Sequence, residues 1–460
     1  MNRLYGALPV MAQNLACTWA GYRRTRARFS KHFYQVLAEW KETRSLPLEE
    51  LYALQKRRLF QMVDTARTSV PYYADLGDPV DDSDPLEAIR RTLLPIPILE
   101  KSSYRKNFEN LINQSLPVDR IRHSNTSGTT GTALRLAHTP EAVAEEYATV
   151  WRMRMACGVN LRDPHLSFGG QLIVPFDRSA PPFWRYNHFN QQTVFSVHHM
   201  TPANLDDYIG EIHRTRATYI NGYPSSLHLV ARAMIQSDRT VEPGKFGGIF
   251  TSSESLLAFQ RDSIAEAFGA PVWDRYGTSE FAVSMTECTS GNLHVDMEYC
   301  IVEVEVEEEG PGWDRGPLLV TGLSNDATPF LRYRIGDVGT RLKKVCPCGR
   351  SGDVFTDVDG RNEDYIATPD GRLIGRLDHI FKQQSKILEA QILQDTVRAI
   401  DVHIVPAPDY AAADEKKLLK EIRLRLGDEI HIDIKEVKSI PRERNGKFRS
   451  VKSRVGHIEQ

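Results

Sequence analysis

At 460 residues the chain is too long for one small core, and two or three structural units are expected. Its 41% hydrophobic and 26% charged residues are ordinary for a globular protein. A formal net charge of −2 supplies no overall positive excess to drive binding to nucleic acid or an anionic membrane, which favours a small-molecule substrate.

Residues 4–20 are fairly apolar, but Pro9, Gln13 and Asn14 interrupt them, and they are too short and polar to span a membrane. They are read as an amphipathic segment running into the basic stretch 23–28, packed on the main body in preference to touching a membrane surface. Six cysteines without a clean export signal imply a reducing cytoplasm, where Cys346-x-Cys348 suggests metal before disulfide. Residues 32–67 read as helices, with Phe33, Val36 and Leu37, then Leu51, Leu54, Leu59 and Val63 at near-helical spacing.

From about residue 90 the pattern changes. Apolar runs at 93–99, 166–174, 217–221 and 248–251 predict buried strands, and 140–155, 225–236 and 256–268 predict helices between them. Such alternation indicates an α/β domain with a largely parallel sheet. Residues 299–307 alternate apolar and acidic side chains, Gly310-Pro311-Gly312 turns, and 317–323 is apolar again, which predicts an antiparallel hairpin. Beyond a polar turn at 360–364, a helix around 379–390, a strand at 402–406, a helix at 413–426 and a strand at 430–437 make a small α+β unit. The expected division is a helical segment 1–90 packed on the main domain, a main domain 91–360, and a mobile C-terminal domain 361–460.

Four segments carry chemistry. Thr126-Ser127-Gly128-Thr129-Thr130-Gly131 follows a strand-like 118–121. Its glycines allow backbone N–H groups to approach phosphate closely, and its hydroxyls add donors without bulk. It is no Walker A loop, because no Gly-Lys-Ser/Thr ends it. In Asp274-Arg275-Tyr276-Gly277-Thr278-Ser279-Glu280, Glu280 can hold Mg²⁺ and Tyr276 can lie against a flat base. In the run 329–337, Asp337 after Gly336 suits a pair of ribose hydroxyls, and Arg332 and Arg334 can answer phosphate or carboxylate. In the run 440–449, Lys447 is a point charge on a long stem, set on a turn.

In this order the four segments resemble the adenylate-forming superfamily of acyl-CoA synthetases, adenylation domains and luciferases. More narrowly they resemble the branch that holds phenylacetate–CoA ligases, a coenzyme-adenylating synthetase and the CapK-type proteins of capsular polysaccharide loci. Pro71-Tyr72-Tyr73, Asn221-Gly222-Tyr223-Pro224-Ser225 and Asn445-Gly446-Lys447 fit the same pattern, so the resemblance covers nearly the whole chain. It implies an α/β fold with mixed sheets in a large N-terminal domain and a small mobile α+β domain behind it. It implies ATP wrapped by Thr126 to Gly131, with Ser253, Glu254, Asp274, Tyr276, Gly277 and Thr278 around the nucleotide and Asp337 on the ribose. Glu280 would hold Mg²⁺, Glu363 would mark the hinge, and Lys447, Glu280 and Arg334 would be catalytic. Tyr223 and Gly170, the latter beside Gly169, are expected in an acyl pocket.

Cys288-x5-His294 with Cys346-x-Cys348 makes a Cys₃His set suited to structural zinc. The alternative is that the cysteines are small buried hydrophobes. The activity implied is ATP-dependent activation of a small carboxylic acid, then acyl transfer to coenzyme A, an amine or a hydroxyl, in polysaccharide or secondary-metabolite biosynthesis. Transfer of AMP itself to a hydroxyl or phosphate, or a scaffold role, are the alternatives. No nucleic-acid partner and no membrane span are expected; a homodimer is a candidate assembly.

Overall fold

The computed structural model describes residues 3–125, 134–359, 366–369, 373–374, 386–442 and 448–455. Thr126 to Thr132, Glu363 and Lys447 lie outside the described residues.

The chain opens with long helices, Val10–Arg28, Lys31–Thr43 and Leu48–Ser69. Ser30 caps the second by accepting from the Phe33 N–H, and Phe33, Val36, Leu37 and Trp40 form its buried stripe. Glu145, on the helix Pro140–Ala156, ties this bundle together. It accepts from Arg58 at 2.6 Å and Ser324 at 2.6 Å, and pairs with His32 at 3.0 Å.

Behind the helices runs one continuous mixed sheet. Its first half is parallel, in spatial order Gln192–Ser196, His165–Gly169, Tyr219–Gly222, Ile249–Ser252 and Val272–Gly277. Trp184–Asn187 closes that edge antiparallel. The helices Pro224–Gln236 and Ala258–Phe268 cross over between parallel strands, and Leu227, Val230, Ile264 and Phe268 pack with Phe168, Ile220 and Ile249. Past Val272–Gly277 the sheet turns antiparallel through Ser284–Glu287, Leu293–Val295, Val354–Asp359, Tyr333–Leu342, Trp313–Gly322 and Cys300–Val304. The expected hairpin is there, with Cys300 opposite Gly322 and Val304 opposite Leu318, as the outer part of this larger sheet.

The C-terminal unit has its own four-stranded sheet, ordered His431–Glu436, Ala399–Pro406, Ile387–Thr396, Val451–Ser453. The helix Ala412–Leu426 covers it, and Ile392, Val402, Ile404, Leu418 and Ile422 fill a separate core. The mixed α/β architecture with a small α+β unit behind it is the one expected.

Three local expectations fail. Residues 93–99 form no strand: Asp84 caps a helix Pro85–Leu93, and only Leu99 bridges to Tyr333. Pro95 and Pro97 remove the donors a buried strand needs. Residues 118–120 are a 3₁₀ turn, and the strand before the Ser/Thr/Gly loop is Arg122–Asn125, paired with Arg135–His138. Residues 387–390 belong to a strand, because Ala399–Pro406 pairs with them, Ile387 opposite Pro406 and Ala390 opposite Ile404. Among the described residues no helix is long and apolar enough to cross a membrane.

Candidate functional site

Five parallel strands end on the same edge of the sheet, and most of the expected site residues stand there. Gly170 follows His165–Gly169, Tyr223 follows Tyr219–Gly222, Ser253 and Glu254 follow Ile249–Ser252, and Thr278 to Glu280 follow Val272–Gly277. Ligands of open α/β sheets bind in such crevices outside the carboxyl ends of the strands. Strain gathers here too. Of the five non-glycine residues with positive φ among the described residues, Ser253 (φ 73), Phe281 (φ 58) and Arg332 (φ 44) each adjoin one of the expected segments.

Asp337 arrives from the antiparallel half. Arg334 pairs with Leu319 and Val338 with Pro317, so three residues on one strand face one on the other. Gly336 takes φ +89 inside this bulge, a conformation open to glycine but strained for other residues. The bulge aims Asp337, 6% exposed, at Tyr276, whose hydroxyl donates to its Oδ2. Carboxylate and phenol thus meet from strands that lie far apart in the sheet. Nearby, the buried Thr278 Oγ1 has no hydrogen-bond partner among the described residues. Glu280 is 2% exposed, and its charge helps raise the pKa of the Tyr104 phenol, after burial.

Other expected residues are engaged differently. The Arg334 guanidinium donates to Glu100 at 2.8 Å and Glu305 at 2.9 Å, so its charge is met by carboxylates. Arg332 donates to Glu303 at 3.2 Å and the Ile96 carbonyl at 3.0 Å. Asp274 accepts from the Thr251 hydroxyl at 2.7 Å, inside the strand pair.

A second cluster joins the two units. Burial raises the Tyr223 phenol's pKa, opposed by its hydrogen bond to the Gly170 backbone, so the two expected pocket residues do touch. Glu254 accepts from the Ser225 N–H at 3.1 Å, at the start of the helix Pro224–Gln236, and from the Phe448 N–H of the C-terminal unit at 2.7 Å. Arg442 pairs with Glu389 and lies over the Phe448 ring at 4.7 Å.

The four metal-ligand candidates also converge, with all ligand atoms within 4.8 Å of one another. Cys288 Sγ is 3.7 Å from Cys346 Sγ, and Cys348 Sγ is 3.3 Å from His294 Nε2. A tetrahedral zinc with bonds of about 2.3 Å to sulfur needs edges near 3.8 Å, so the set fits. His294 Nδ1 faces the Ser351 carbonyl at 3.4 Å, and N–H groups of Asn292 and Arg350 point at Cys346 and Cys348.

Known proteins resemble the chain in sequence and in fold. The family described as the CapK C-terminal domain matches residues 366–454. Protein CapK of Staphylococcus aureus is 25% identical over 98% of both chains. A phenylacetate–coenzyme A ligase of Thermus thermophilus is 25% identical, over 71% of this chain and 73% of that one. Among solved structures, 2-hydroxyisobutyryl-CoA ligase in the postadenylation state, in complex with 2-HIB-AMP, superposes with a TM-score of 0.65 at 18% identity, over 89% of this chain and 91% of that one. Over nearly its whole length the chain is thus similar to a CapK protein, and over most of it to a ligase of the adenylate-forming superfamily.

Two further residues beside these strand ends carried no sequence signal. His198 accompanies the Gly170 backbone and the Arg442 charge, and its buried Nε2 has no hydrogen-bond partner among the described residues. Burial, then His199 and Arg442, lower its pKa. Arg442 lay unmarked in the basic tail; only the pairing of the C-terminal strands puts it against Glu389.

Asp274 has a measurable consequence of its own. Burial, then the nearby Glu287 charge, push its carboxyl up to about 6, against the Thr251 hydrogen bond. The folded protein therefore holds this proton more tightly than the unfolded chain. That contribution to stability is present below pH ~4 and lost as pH rises through ~6. Asp274→Asn is expected to flatten this part of the stability–pH profile by up to about 3 kcal/mol, read from denaturant midpoints across the range. An unchanged profile would place its titration elsewhere.

Proposed function

We propose that the protein activates a small carboxylic acid with ATP as an acyl-adenylate and then passes the acyl group to coenzyme A, an amine or a hydroxyl. The observation that carries this is the meeting of Asp337 with Tyr276, beside the Thr278 hydroxyl that has no partner among the described residues, at the carboxyl ends of the parallel strands. In this reading Asp337 binds the ribose, Tyr276 lies against the base, and Thr278 with the loop 126–131 takes the phosphates. The acid occupies the space by Gly170, Tyr223 and His198. Its carboxylate oxygen attacks the α-phosphorus, the bond to the bridging oxygen breaks, and pyrophosphate leaves with the electron pair. Lys447 counters the charge that develops, and Arg334 joins it by exchanging Glu100 for a phosphate oxygen. Glu280 would hold Mg²⁺, which would supply charge neutralisation at the phosphates.

The unit 361–460 is assigned the part of a lid turning at Glu363. The Glu254–Phe448 contact closes it for the first step, and its release opens the acceptor side. Coenzyme A as acceptor is supported by the names of the phenylacetate–coenzyme A ligase relative and the 2-hydroxyisobutyryl-CoA ligase neighbour. Pyrophosphate release with ATP and Mg²⁺ across a panel of aryl, fatty, hydroxy and amino acids, with and without coenzyme A, tests the reading. Release with one acid is expected, and coenzyme A consumption then separates a thioester from an amide or ester product. Silence across the panel, with an AMP-modified hydroxyl compound formed instead, overturns it.

Zinc at Cys288, His294, Cys346 and Cys348 is assigned a structural role, joining Ser284–Glu287 and Leu293–Val295 to the turn before Val354–Asp359. Purified protein is expected to carry one zinc per chain, and chelation or Cys346→Ser to lower Tm by about 5 °C or more. Metal-free protein with an unchanged Tm removes the assignment.

A further inference from the structure

The helix Val10–Arg28 is amphipathic the wrong way round. Its inner face is mostly polar and is pinned by hydrogen bonds to the edge strand Trp184–Asn187 and its neighbours. Arg185 donates to Gln13 at 2.6 Å, the Tyr186 N–H to Asn14 at 3.0 Å, the His188 N–H to Thr18 at 3.1 Å, and Thr25 to Asn190 at 2.9 Å. Gly21 sits so close that a Cβ there would lie 2.2 Å from the Asn187 amide, so the inner face cannot turn outward without breaking a fitted contact. The outer face is apolar. Met11 is 81% exposed, Leu15 67% and Trp19 62%, at a spacing of four residues on one side of the helix. Trp19 stacks on Tyr22 at 5.7 Å, and Tyr22 meets Phe189, itself half exposed, edge-on at 5.1 Å. A surface helix in water shows the opposite distribution.

Charge says what covers this face. The chain has a net charge of −2, yet no Asp or Glu occurs before Glu39, while Arg3, Arg23, Arg24, Arg26, Arg28 and Lys31 do. Arg23 and Arg26 are exposed, continuing the outward stripe of Met11, Leu15 and Trp19, and Arg26 donates to the Tyr22 hydroxyl at 2.7 Å. Apolar side chains, then an aromatic cluster, then cations along one face is the arrangement that lies in a lipid interface: the first enter the acyl boundary, rings sit at headgroup depth, and guanidinium groups meet phosphate. A second copy of the chain would bring no carboxylate from this segment to answer those cations.

We propose that the outer face of Val10–Arg28 seats the protein peripherally on an anionic lipid surface through Met11, Leu15, Trp19 and Phe189, with Arg23 and Arg26 on the headgroups. The test is co-sedimentation of the full chain with vesicles of phosphatidylglycerol mixed into phosphatidylcholine, and with phosphatidylcholine alone. Binding to the anionic vesicles is expected to be at least about tenfold stronger, and to weaken with salt. The double variant Leu15→Glu, Trp19→Glu is expected to lose roughly 100-fold in partition, and Arg23→Glu with Arg26→Glu about tenfold, each with an unchanged Tm because the side chains are exposed. Equal sedimentation of wild type and the Leu15, Trp19 variant, or none with any vesicle, overturns the proposal. So does a lipid-free dimer in the ultracentrifuge that the same double variant abolishes, which would make this face a chain–chain interface.

Discussion

Replacing Lys447 by Ala is expected to slow acid-dependent pyrophosphate release by about 10²–10³-fold while ATP binding changes only a few-fold. The reason is differential charge. ATP is already held by Asp337, Tyr276 and the phosphate loop in the proposed arrangement, whereas negative charge on the α-phosphoryl oxygens shifts only as the carboxylate attacks. A cation positioned for that moment acts on kcat more than on ground-state affinity. Lys447 directly precedes Phe448, whose N–H is fixed on Glu254 at 2.7 Å beside the strand ends that carry the site. Single-turnover adenylate formation, set against nucleotide binding by calorimetry, separates the two effects. Wild-type rates in Lys447→Ala would take the residue out of its assigned role.

Arg152→Ala is expected to destabilise the fold by about 3–5 kcal/mol. Arg152 lies on the helix Pro140–Ala156 and is 3% exposed. It pairs with both Asp296 and Glu298, themselves 0% and 2% exposed, and donates to the Trp40 carbonyl at 3.1 Å. Asp296 also accepts from Ser284 at 2.6 Å and Thr286 at 3.0 Å, and pairs with Arg350 at 3.4 Å, next to the Cys346 and Cys348 turn. Truncating the arginine leaves two buried carboxylates short of a partner, which is far worse than removing an exposed ion pair. The triple variant Arg152→Met, Asp296→Asn, Glu298→Gln is expected to regain most of the loss. Urea midpoints measure both, and a loss below about 1 kcal/mol for Arg152→Ala would mean that other groups satisfy the carboxylates.

Both predictions mix what the sequence displays with what it hides. The Ser/Thr/Gly loop, the Tyr276 to Glu280 turn and the Asp337 run are local patterns, because each motif's chemistry needs particular residue types at fixed neighbouring positions. Helices such as Pro140–Ala156 and Ala412–Leu426 were legible for the same reason, since a 3.6-residue period is written in nearby residues. The four metal-ligand candidates were legible as two pairs. The sequence also suggested joining them in one set, and the pairing of Leu293–Val295 with Val354–Asp359 is what closes the gap of more than fifty residues between them.

The sequence by itself determined the resemblance to the adenylate-forming superfamily, the α/β class with a C-terminal α+β unit, and the residue types available at the candidate site. Tertiary structure alone decided that Gly336 bulges to aim Asp337 at Tyr276, that Glu100 and Glu305 hold Arg334, that Glu254 bridges Ser225 and Phe448, and that Val10–Arg28 shows its apolar face outward. Each of these depends on which distant strand edge or helix end supplies a hydrogen-bond or charge partner, and such partners are chosen by sheet order and register, not by the residues alongside.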